Sequence, residues 1–297
     1  MTIWNLGSIN ADFVYRVPRI PAPGETLAST GRHAFLGGKG ANMSVAAARA
    51  AARVVHVGAV GEDGRWAVER LLEYGVDIRH VAILQDQATA QAIIAVDDAG
   101  ENSIILYPAA NRAIPEDRIG AALAEAATGD WLLMQNETNG QDVAARMARD
   151  MGLRVAYAAA PFDAKATARL LPLIDLLVLN EVEAAQLREA TGKGPADLGV
   201  TDVLVTLGPD GVEWIGAGGP RRFPAVPVEA VDTTGAGDTF TGYVLAGLDR
   251  GMPMAQAIGQ ATLAAAIMVT RHGTADVIPD LADLQSFREA DGQAGVS

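Results

Sequence analysis

The sequence predicts an α/β fold: a doubly wound, mostly parallel sheet with helices on both faces, plus a small β-sheet lid. Short β-branched runs alternate with alanine-rich helical patterns along the 297 residues, as in parallel strands joined by crossover helices. Two segments, about 12–36 and 90–107, break this alternation because they read as strands and turns without intervening helices. We therefore expect a single domain over 1–297 in which these two segments form the lid.

The elements follow from the spacing of their apolar residues. The strand candidates are Thr2–Ser8, Val54–Val60, Trp131–Met134, Arg154–Tyr157, Leu176–Leu179 and Val203–Leu207. The helix candidates are Ala41–Ala52, Trp66–Tyr74, Glu116–Ala127, Gln141–Asp150, Glu181–Ala190, Thr239–Asp249 and Met254–Arg271. The polar end of the chain, Glu289–Ser297, is expected to be frayed.

Each lid segment contains a turn sequence, Pro21-Ala22-Pro23-Gly24 in the first and Asp97-Asp98-Ala99-Gly100 in the second. Each segment therefore predicts a hairpin. The alternative is that both are edge hairpins of the main sheet. We favour a lid over the ligand-binding edge, because the first segment runs directly into the glycine run that starts at Gly37.

Composition excludes several classes of function. A net charge of −13 disfavours binding to a nucleic-acid backbone. The absence of cysteine excludes disulfides, thiolate metal sites and a cysteine nucleophile, and it fits the cytoplasm. No signal peptide is visible at the N-terminus, and the longest apolar stretch, Ala261–Val269, is too short to span a bilayer. We expect a cytoplasmic protein with no nucleic-acid or membrane partner.

The most informative motif is Asp232-Thr233-Thr234-Gly235-Ala236-Gly237-Asp238-Thr239-Phe240. A turn of small residues here leads straight into a helical pattern, so backbone N–H groups gather at a helix N-terminus and form an anion site. Asp238 lies beside that anion site, where a reacting hydroxyl could meet it. An anion site with a base at its edge indicates phosphoryl transfer to an alcohol.

A second motif, Gly37-Gly38-Lys39-Gly40-Ala41-Asn42, opens the first helix. Its glycines allow a ligand to approach the backbone, and Asn42 can both donate and accept hydrogen bonds, which suits a polyol. Asp12 follows the first strand, at the sheet edge where α/β proteins bind ligands, and a carboxylate there can accept hydrogen bonds from two hydroxyls. Taken singly, a solvated loop and a turn aspartate remain equal alternatives.

Two weaker motifs follow later strands. In the run Asn180-Glu181-Val182-Glu183, Asn180 and Glu183 have the spacing of a helix capping box, and the functional alternative is that the carboxylates of this run hold hydrated Mg²⁺. The run Thr206–Gly211 indicates either a nucleotide contact or a hairpin turn. No P-loop sequence is present, and the four histidines lack the spacing of zinc ligands.

In this order, the motifs resemble those of the ribokinase-like, or PfkB, family of carbohydrate kinases, and most closely those of its ribokinases. The resemblance extends from Gly7 to about Pro279. It includes the runs Gly7–Asp12, Pro23–Thr26, Gln135–Glu137 and Val269–Gly273. It implies ATP-dependent phosphorylation of a sugar hydroxyl, with ribose to ribose 5-phosphate as the first candidate. A kinase for fructose, a keto-deoxy sugar acid or a nucleoside is the alternative, and a non-catalytic sugar- or nucleotide-binding regulator is a third.

The resemblance also implies roles for individual residues. The sugar would be held by Asp12, Gly38, Lys39, Asn42 and Glu137. Asp238 would be the general base, with Gly235, Ala236 and Gly237 in the anion hole. ATP and its Mg²⁺ would be served by Asn180, Glu183, Thr206, Gly208, Gly211 and Thr262, with Glu183 binding Mg²⁺ through water. A monovalent cation such as K⁺ would be bound near Asp232, Thr234 and Gly273.

The same resemblance implies a homodimer through the lid, because the lid carries more apolar residues than an exposed two-hairpin layer should: Phe13, Val14, Tyr15, Ile93, Ile94 and Ile105. The chain departs from the ribokinase pattern at three places. Ala158-Ala159-Ala160-Pro161 stands where Asn-Pro-Ala-Pro is usual, and Met43 where Gln is common. Gln91 is expected to replace an apolar residue over the sugar, which leaves the identity of the sugar open.

Overall fold

The computed structural model describes residues 1–294 as two separate sheets flanked by helices. The strands of the main sheet are β1 Thr2–Leu6, β4 Arg53–Gly61, β5 Asp77–Leu84, β8 Trp131–Gln135, β9 Arg154–Ala158, β10 Leu176–Asn180, β11 Asp202–Thr206, β12 Val212–Gly216 and β13 Gly219–Phe223. Those of the small sheet are β2 Asn10–Arg16, β3 Gly31–Gly37, β6 Ala90–Val96 and β7 Asn102–Tyr107. The helices are α1 Lys39–Arg49, α2 Arg65–Glu73, α3 Glu116–Leu123, α4 Gln141–Asp150, α5 Ala164–Leu170, α6 Glu181–Thr191, α7 Ala236–Asp249, α8 Met254–Val269 and α9 Leu281–Ala294.

The main sheet has the strand order β13-β12-β11-β10-β9-β8-β1-β4-β5. The strands from β11 to β5 pair in parallel, and β12 and β13 add antiparallel to the edge. The order of the strands reverses at β1, which lies between β4 and β8. Ligands of doubly wound sheets bind beyond the carboxyl ends of the strands at such a switch point. The residues that follow β1 are therefore placed to contact a ligand.

Both faces of the main sheet are buried. Successive residues of a strand point to opposite faces, so Ile3 and Leu133 join one apolar cluster while Trp4 and Leu132 join the other. A strand that is covered on both sides reads as a continuous apolar run. The sequence pattern therefore located β1, β4, β8, β9, β10 and β11 correctly.

The small sheet confirms the predicted lid layer. Its order is β3-β2-β6-β7, in which β2–β3 and β6–β7 are antiparallel hairpins and β2 pairs with β6 in parallel. The predicted turns are present, because Glu25 N bonds to Ala22 O at 3.0 Å and Gly100 N to Asp97 O at 3.1 Å. The alternative, that these hairpins extend the main sheet, is wrong.

Some elements departed from the sequence patterns. β5 contains Arg79 and His80 in its interior, and β13 contains Pro220, which is tolerated because β13 is an edge strand. The expectation of a frayed end at Glu289–Ser297 is wrong for its first part, since α9 continues to Ala294; residues 295–297 lie outside the described residues. Within residues 1–294 no helix is both long and apolar enough to cross a membrane.

Candidate functional site

The exit of β1 and the start of α1 are in direct backbone contact. Gly40 N donates to Ser8 Oγ at 3.0 Å, and Ala41 N donates to the Ser8 carbonyl oxygen at 2.8 Å. A Cβ atom on Gly40 would lie 2.3 Å from Ser8 N, so only glycine fits. Gly38 precedes the helix at φ +92°, a conformation that also favours glycine. The glycine run thus lays the start of α1 against the ligand-binding end of β1.

This contact gathers the predicted sugar-binding residues from three elements. Asp12 lies on β2, Asn42 on α1 and Glu137 just after β8. Glu137 Oε2 accepts hydrogen bonds from Lys39 N at 3.0 Å and from Ser8 Oγ, so one of its oxygens fixes the glycine run. Within the described part of the chain, the buried atoms Asp12 Oδ1 and Asn42 Oδ1 have no hydrogen-bond partner. Buried polar atoms without partners are where a ligand's hydroxyl groups can bind.

The interpretation of Gln91 is corrected by the register of the lid. Ala92, not Gln91, pairs with Asp12 across β2 and β6. Gln91 pairs with Ala11, and neighbouring side chains of a strand point to opposite faces of a sheet. Gln91 is therefore on the lid face opposite to Asp12. Hydropathy could not show this, because an error of one residue in register exchanges the two faces.

The sequence analysis assigned no role to three polar residues of the site, Ser8, Asn10 and Asn111. Ser8 contacts both Gly40 and Glu137, as described above. Asn10 lies two residues before Asp12 on the same face of β2, and its Oδ1 accepts a hydrogen bond from Asn111 Nδ2 at 2.8 Å. Asn111 Oδ1 in turn accepts from Ile9 N at 3.0 Å. Ser8 and Asn10 fall inside the run Gly7–Asp12, so their position directly after β1 was the available signal.

The predicted anion site lies at the N-terminus of α7. Gly235 precedes the helix at φ +77°, and the Ala236 amide donates to Thr233 O at 3.3 Å. The Ala236 amide is therefore used within the turn. The prediction that it is a free donor in the anion hole is wrong. Counting only partners among residues 1–294, the amides of Gly235, Gly237 and Asp238 remain without an acceptor. These three N–H groups are the donors available to an anion at this helix N-terminus.

Asp238 joins the two ends of the site. It lies in the first turn of α7, is 6% exposed, and its Oδ2 accepts a hydrogen bond from Asn42 Nδ2 at 2.9 Å. The predicted base is therefore bound directly to a predicted sugar-binding residue, although 196 positions separate them in the chain. Its other oxygen, Oδ1, has no protein partner in the described chain and is free to meet a hydroxyl.

Lys39 lies near three carboxylates. Asp238, followed by Glu137 and Glu183, raises the pKa of Lys39 against the opposing effect of burial, so the ammonium stays charged. Burial raises the pKa of Glu137, against hydrogen bonds from Ser8 and Lys39. Burial, together with the charges of Glu137 and Asp238, raises the pKa of Asp12 to about 7. The sugar end of the site therefore concentrates negative charge around one cation.

The raised pKa of Asp12 predicts that the free energy of unfolding decreases as the pH rises. Since this pKa rises from 3.8 to about 7 on folding, only the unfolded chain is ionised there between those values, and stability falls as pH rises towards 7. An amide resembles the protonated acid, so Asp12→Asn should match the parent near pH 4 and melt higher at pH 8, by about 3 °C or more. Thermal unfolding of the ligand-free protein across this pH range measures the difference. Asp98→Asn, on an exposed lid turn, is the control, and a pH-independent difference would contradict the assignment.

A cavity of about 620 Å³ adjoins the anion site. Its wall includes these residues that were predicted to serve the nucleotide or its phosphates: Thr206, Gly208, Gly211, Thr262, Ala236 and Gly237. Most of the remaining wall is apolar, including Val226, Val228 and Phe240. A purine base suits such walls, and phosphates suit the amides at one end. The turn Thr206–Gly211 also joins β11 to β12, as the hairpin interpretation predicted, and a nucleotide contact by this turn stays a prediction.

Asn180 and Glu183 are not among the residues that line this cavity. They form the predicted capping box of α6, with Glu183 N donating to Asn180 Oδ1 and Asn180 N to Glu183 Oε2, both at 2.8 Å. Burial raises the pKa of Glu183, and the charges of Lys39 and Asp238 act on this carboxyl. Its Oε1 is left for a water-mediated contact. One carboxylate near the phosphate end fits Mg²⁺ that keeps most of its waters.

The residues predicted to bind a monovalent cation also come together. Asp232 Oδ1 accepts a hydrogen bond from Thr234 N at 2.9 Å, and Oδ2 accepts one from Gly273 N at 3.4 Å. Asp232 thereby connects the loop before α7 with the loop after α8. Its carboxylate supplies oxygen atoms, which are the ligands of hard cations, and both oxygens accept N–H hydrogen bonds in this structure.

The family is decided by comparison with known sequences. Residues 2–281 match the family described as pfkB family carbohydrate kinase. The chain belongs to this family. The predicted class of enzyme, a carbohydrate kinase, is thereby confirmed.

Individual PfkB kinases and their structures agree. The chain is 36% identical to a ribokinase of Haemophilus influenzae, over 97% of this chain and 98% of that protein. Its fold matches that of a Thermotoga maritima ribokinase with a TM-score of 0.87 at 30% identity, covering 97% and 99% of the two chains. An Arabidopsis thaliana ribokinase, solved with ribose and ATP, matches with a TM-score of 0.83 at 28% identity, covering 96% and 97%. The predicted ribokinase-like fold is confirmed.

Proposed function

We propose that this chain transfers a phosphoryl group from ATP to the 5-hydroxyl of ribose. The observation that carries the proposal is the 2.9 Å hydrogen bond between Asn42 and Asp238. This bond joins the polyol-binding end of the site to the anion site beside the 620 Å³ cavity. Relatives of this chain are named ribokinases, and this supports ribose as the sugar.

The roles of the residues follow from where charge changes during the transfer. Asp238 Oδ1 accepts the proton of the attacking hydroxyl, while Asn42 holds Oδ2 and so orients the carboxylate. The free amides of Gly235 and Gly237 stabilise the negative charge of the transferring group, and positioning and charge stabilisation dominate such reactions. Glu183 would hold Mg²⁺ through water, and the metal would supply neutralisation of phosphate charge.

Asp12, Glu137 and Asn42 supply acceptors for the hydroxyls of the sugar. Their free oxygens point to a neutral polyol, because an anionic sugar would be repelled by the ionised forms of Asp12 and Glu137. Ribose is thus favoured over a keto-deoxy sugar acid. Lys39 partly offsets this charge and remains the one cation in the cluster.

The experiment that tests this function compares acceptors. Formation of ADP is measured with ribose, deoxyribose, fructose, a keto-deoxy sugar acid and a nucleoside, each with MgATP and K⁺. Ribose should give the highest kcat/KM. A higher value for another acceptor would replace the substrate, and saturable binding of sugar and ATP without turnover would favour a regulator.

A role for Asp232 at a K⁺ site predicts loss of activation. Asp232→Asn removes the negative charge, so kcat in K⁺ should fall to the value that the parent shows without K⁺. Rates in KCl and in tetramethylammonium chloride of equal ionic strength measure the effect. A parent enzyme that is indifferent to K⁺, or a variant that is still activated by it, would rule out the site.

The lid predicts a homodimer. Phe13, Ile93 and Ile105 pair side by side on the lid face opposite to Asp12, and Ile105 is 65% exposed. An exposed apolar row on a sheet favours contact with a second surface. We expect a mass of two chains in light scattering, and of one chain for Ile105→Glu. Leu72→Glu, which also replaces an exposed apolar residue with glutamate but on α2, should remain dimeric, and a monomeric parent would contradict the prediction.

A further inference from the structure

Behind the glycine run lies a buried network, which we define as the side chains of Gln135, Asn5, Ser44 and His56. All four residues are 0% exposed. Gln135 Nε2 donates to Asn5 Oδ1 at 2.9 Å, and Asn5 Nδ2 donates to Ser44 Oγ at 2.8 Å. Ser44 Oγ is 2.8 Å from His56 Nδ1, and His56 Nε2 is 3.1 Å from the Gly7 carbonyl oxygen. The network therefore crosses β8, β1, α1 and β4.

The direction of each hydrogen bond is fixed by its neighbours. Because the Gly7 carbonyl oxygen can only accept, His56 carries its proton on Nε2 and donates to Gly7. In this neutral form His56 Nδ1 has no proton, so it accepts from the Ser44 hydroxyl. Burial lowers the pKa of His56 to about 4, so this neutral form persists at neutral pH.

Stability alone does not explain this network. Buried polar groups gain little net free energy from their hydrogen bonds, and apolar side chains of the same shape can serve a core equally well. One acceptor, Gln135 Oε1, even lacks a partner among the described residues. A polar network inside two apolar layers does, however, specify one arrangement of the segments that it joins.

Two members of the network, Asn5 and His56, bind the backbone of the sugar site. His56 donates to Gly7 O, and Asn5 Nδ2 makes a second bond to Gly40 O at 2.8 Å. Gly7 and Gly40 are in contact, since a Cβ on Gly7 would lie 2.7 Å from Gly40 Cα. Gly40 stands between Lys39 and Asn42 in the chain. Displacement of this contact would therefore move the groups that hold the sugar.

We propose that Asn5, Ser44 and His56 are positioning residues that set the affinity for the sugar by holding Gly7 against Gly40. The inference rests on the proposed sugar kinase function. It adds a determinant of affinity that lies entirely behind the site and touches neither substrate. The nucleotide cavity has no direct contact with the network, so affinity for ATP should be independent of it.

The test uses a matched pair of substitutions at His56. Glutamine and methionine are similar in length, but only the glutamine amide can still donate to Gly7 O. We expect His56→Met to raise the Kd for ribose, measured by calorimetry without ATP, at least about fivefold, and His56→Gln to stay within about twofold of the parent. The KM for ATP should change by less than about twofold in both. If His56→Met folds poorly, Ser44→Ala is the smaller change that replaces it. Ser44→Ala should also raise the Kd for ribose.

Trp4→Phe is the control, because it removes a buried hydrogen bond, Trp4 Nε1 to Asp130 Oδ2 at 3.1 Å, on the face of β1 opposite to Asn5. It should lower the melting temperature and leave the Kd for ribose unchanged. The inference is overturned if His56→Met and Ser44→Ala bind ribose like the parent, or if Trp4→Phe weakens ribose binding equally. It is also overturned if the two variants weaken ribose and ATP by the same factor. In each of these cases the parent still phosphorylates ribose, whereas a parent that binds no sugar overturns the proposed function as well.

Discussion

In the Asp238→Asn variant, turnover is expected to fall at least about a hundredfold, while ribose and ATP still bind. The amide is nearly isosteric with the carboxylate and can keep a hydrogen bond to Asn42, so the geometry of the site should persist. It cannot accept the proton of the attacking hydroxyl at Oδ1. The loss should therefore appear in kcat, with the Kd values for both substrates close to those of the parent. Steady-state kinetics and calorimetry on the same preparation separate the two effects.

The matched control is Asp249→Asn, the same chemical change at the other end of α7. Asp249 is also buried, at 7% exposure, but it lies a full helix length from the anion site. Its substitution should leave kcat within about twofold of the parent. Near-normal turnover in a folded Asp238→Asn protein would remove Asp238 from the role of base.

The second large effect is expected from Gly40→Ala. Its Cβ would lie 2.3 Å from Ser8 N and 2.4 Å from Gly7 Cα, and both are backbone atoms that no rotamer change can move. β1 and α1 must then separate, which costs about 1–3 kcal/mol or more of stability. The same shift displaces Asn42 and Lys39, so the KM for ribose should rise at least about tenfold. Chemical denaturation and steady-state kinetics measure the two consequences.

Gly259→Ala provides the comparison for Gly40→Ala. Gly259 lies on α8 with no atom within 4 Å of its added Cβ, and alanine favours a helix over glycine by about 1 kcal/mol. This variant should be as stable as the parent or more so, with an unchanged KM. If Gly40→Ala behaved like Gly259→Ala, the close contact of β1 with α1 would not be needed to form the sugar site.

The sequence predicted those parts of the site that lie within a few residues of one another. The turn before α7 and the glycine run before α1 could be located because each combines backbone freedom with the start of a helix. The contact between Asn42 and Asp238 could be inferred only from resemblance, since no local pattern relates two side chains 196 positions apart. The face on which Gln91 lies depends on strand register, which hydropathy did not determine in this half-buried lid.

The buried network shows a different limit. Asn5, Ser44 and His56 each stand alone inside an apolar run, where a single polar residue carries no signal of its partner. Their partners become evident only when β1, α1 and β4 are brought together. Ala158 and Ala159, which depart from the usual ribokinase pattern, are buried at the end of β9 and outside the wall of the nucleotide cavity. Ala158 and Ala159 therefore do not contact the space that we assign to the nucleotide.

The central claim is that one site holds ribose at one end and receives the phosphoryl group at the other. Phosphorus NMR of a reaction that contains ribose, MgATP, K⁺ and the purified protein tests it most directly. We expect one ribose 5-phosphate formed for each ADP, and no ADP above background when ribose is omitted or Asp238 is replaced by asparagine. Release of inorganic phosphate in place of a sugar phosphate, or equal product formation by the Asp238→Asn variant, would contradict it.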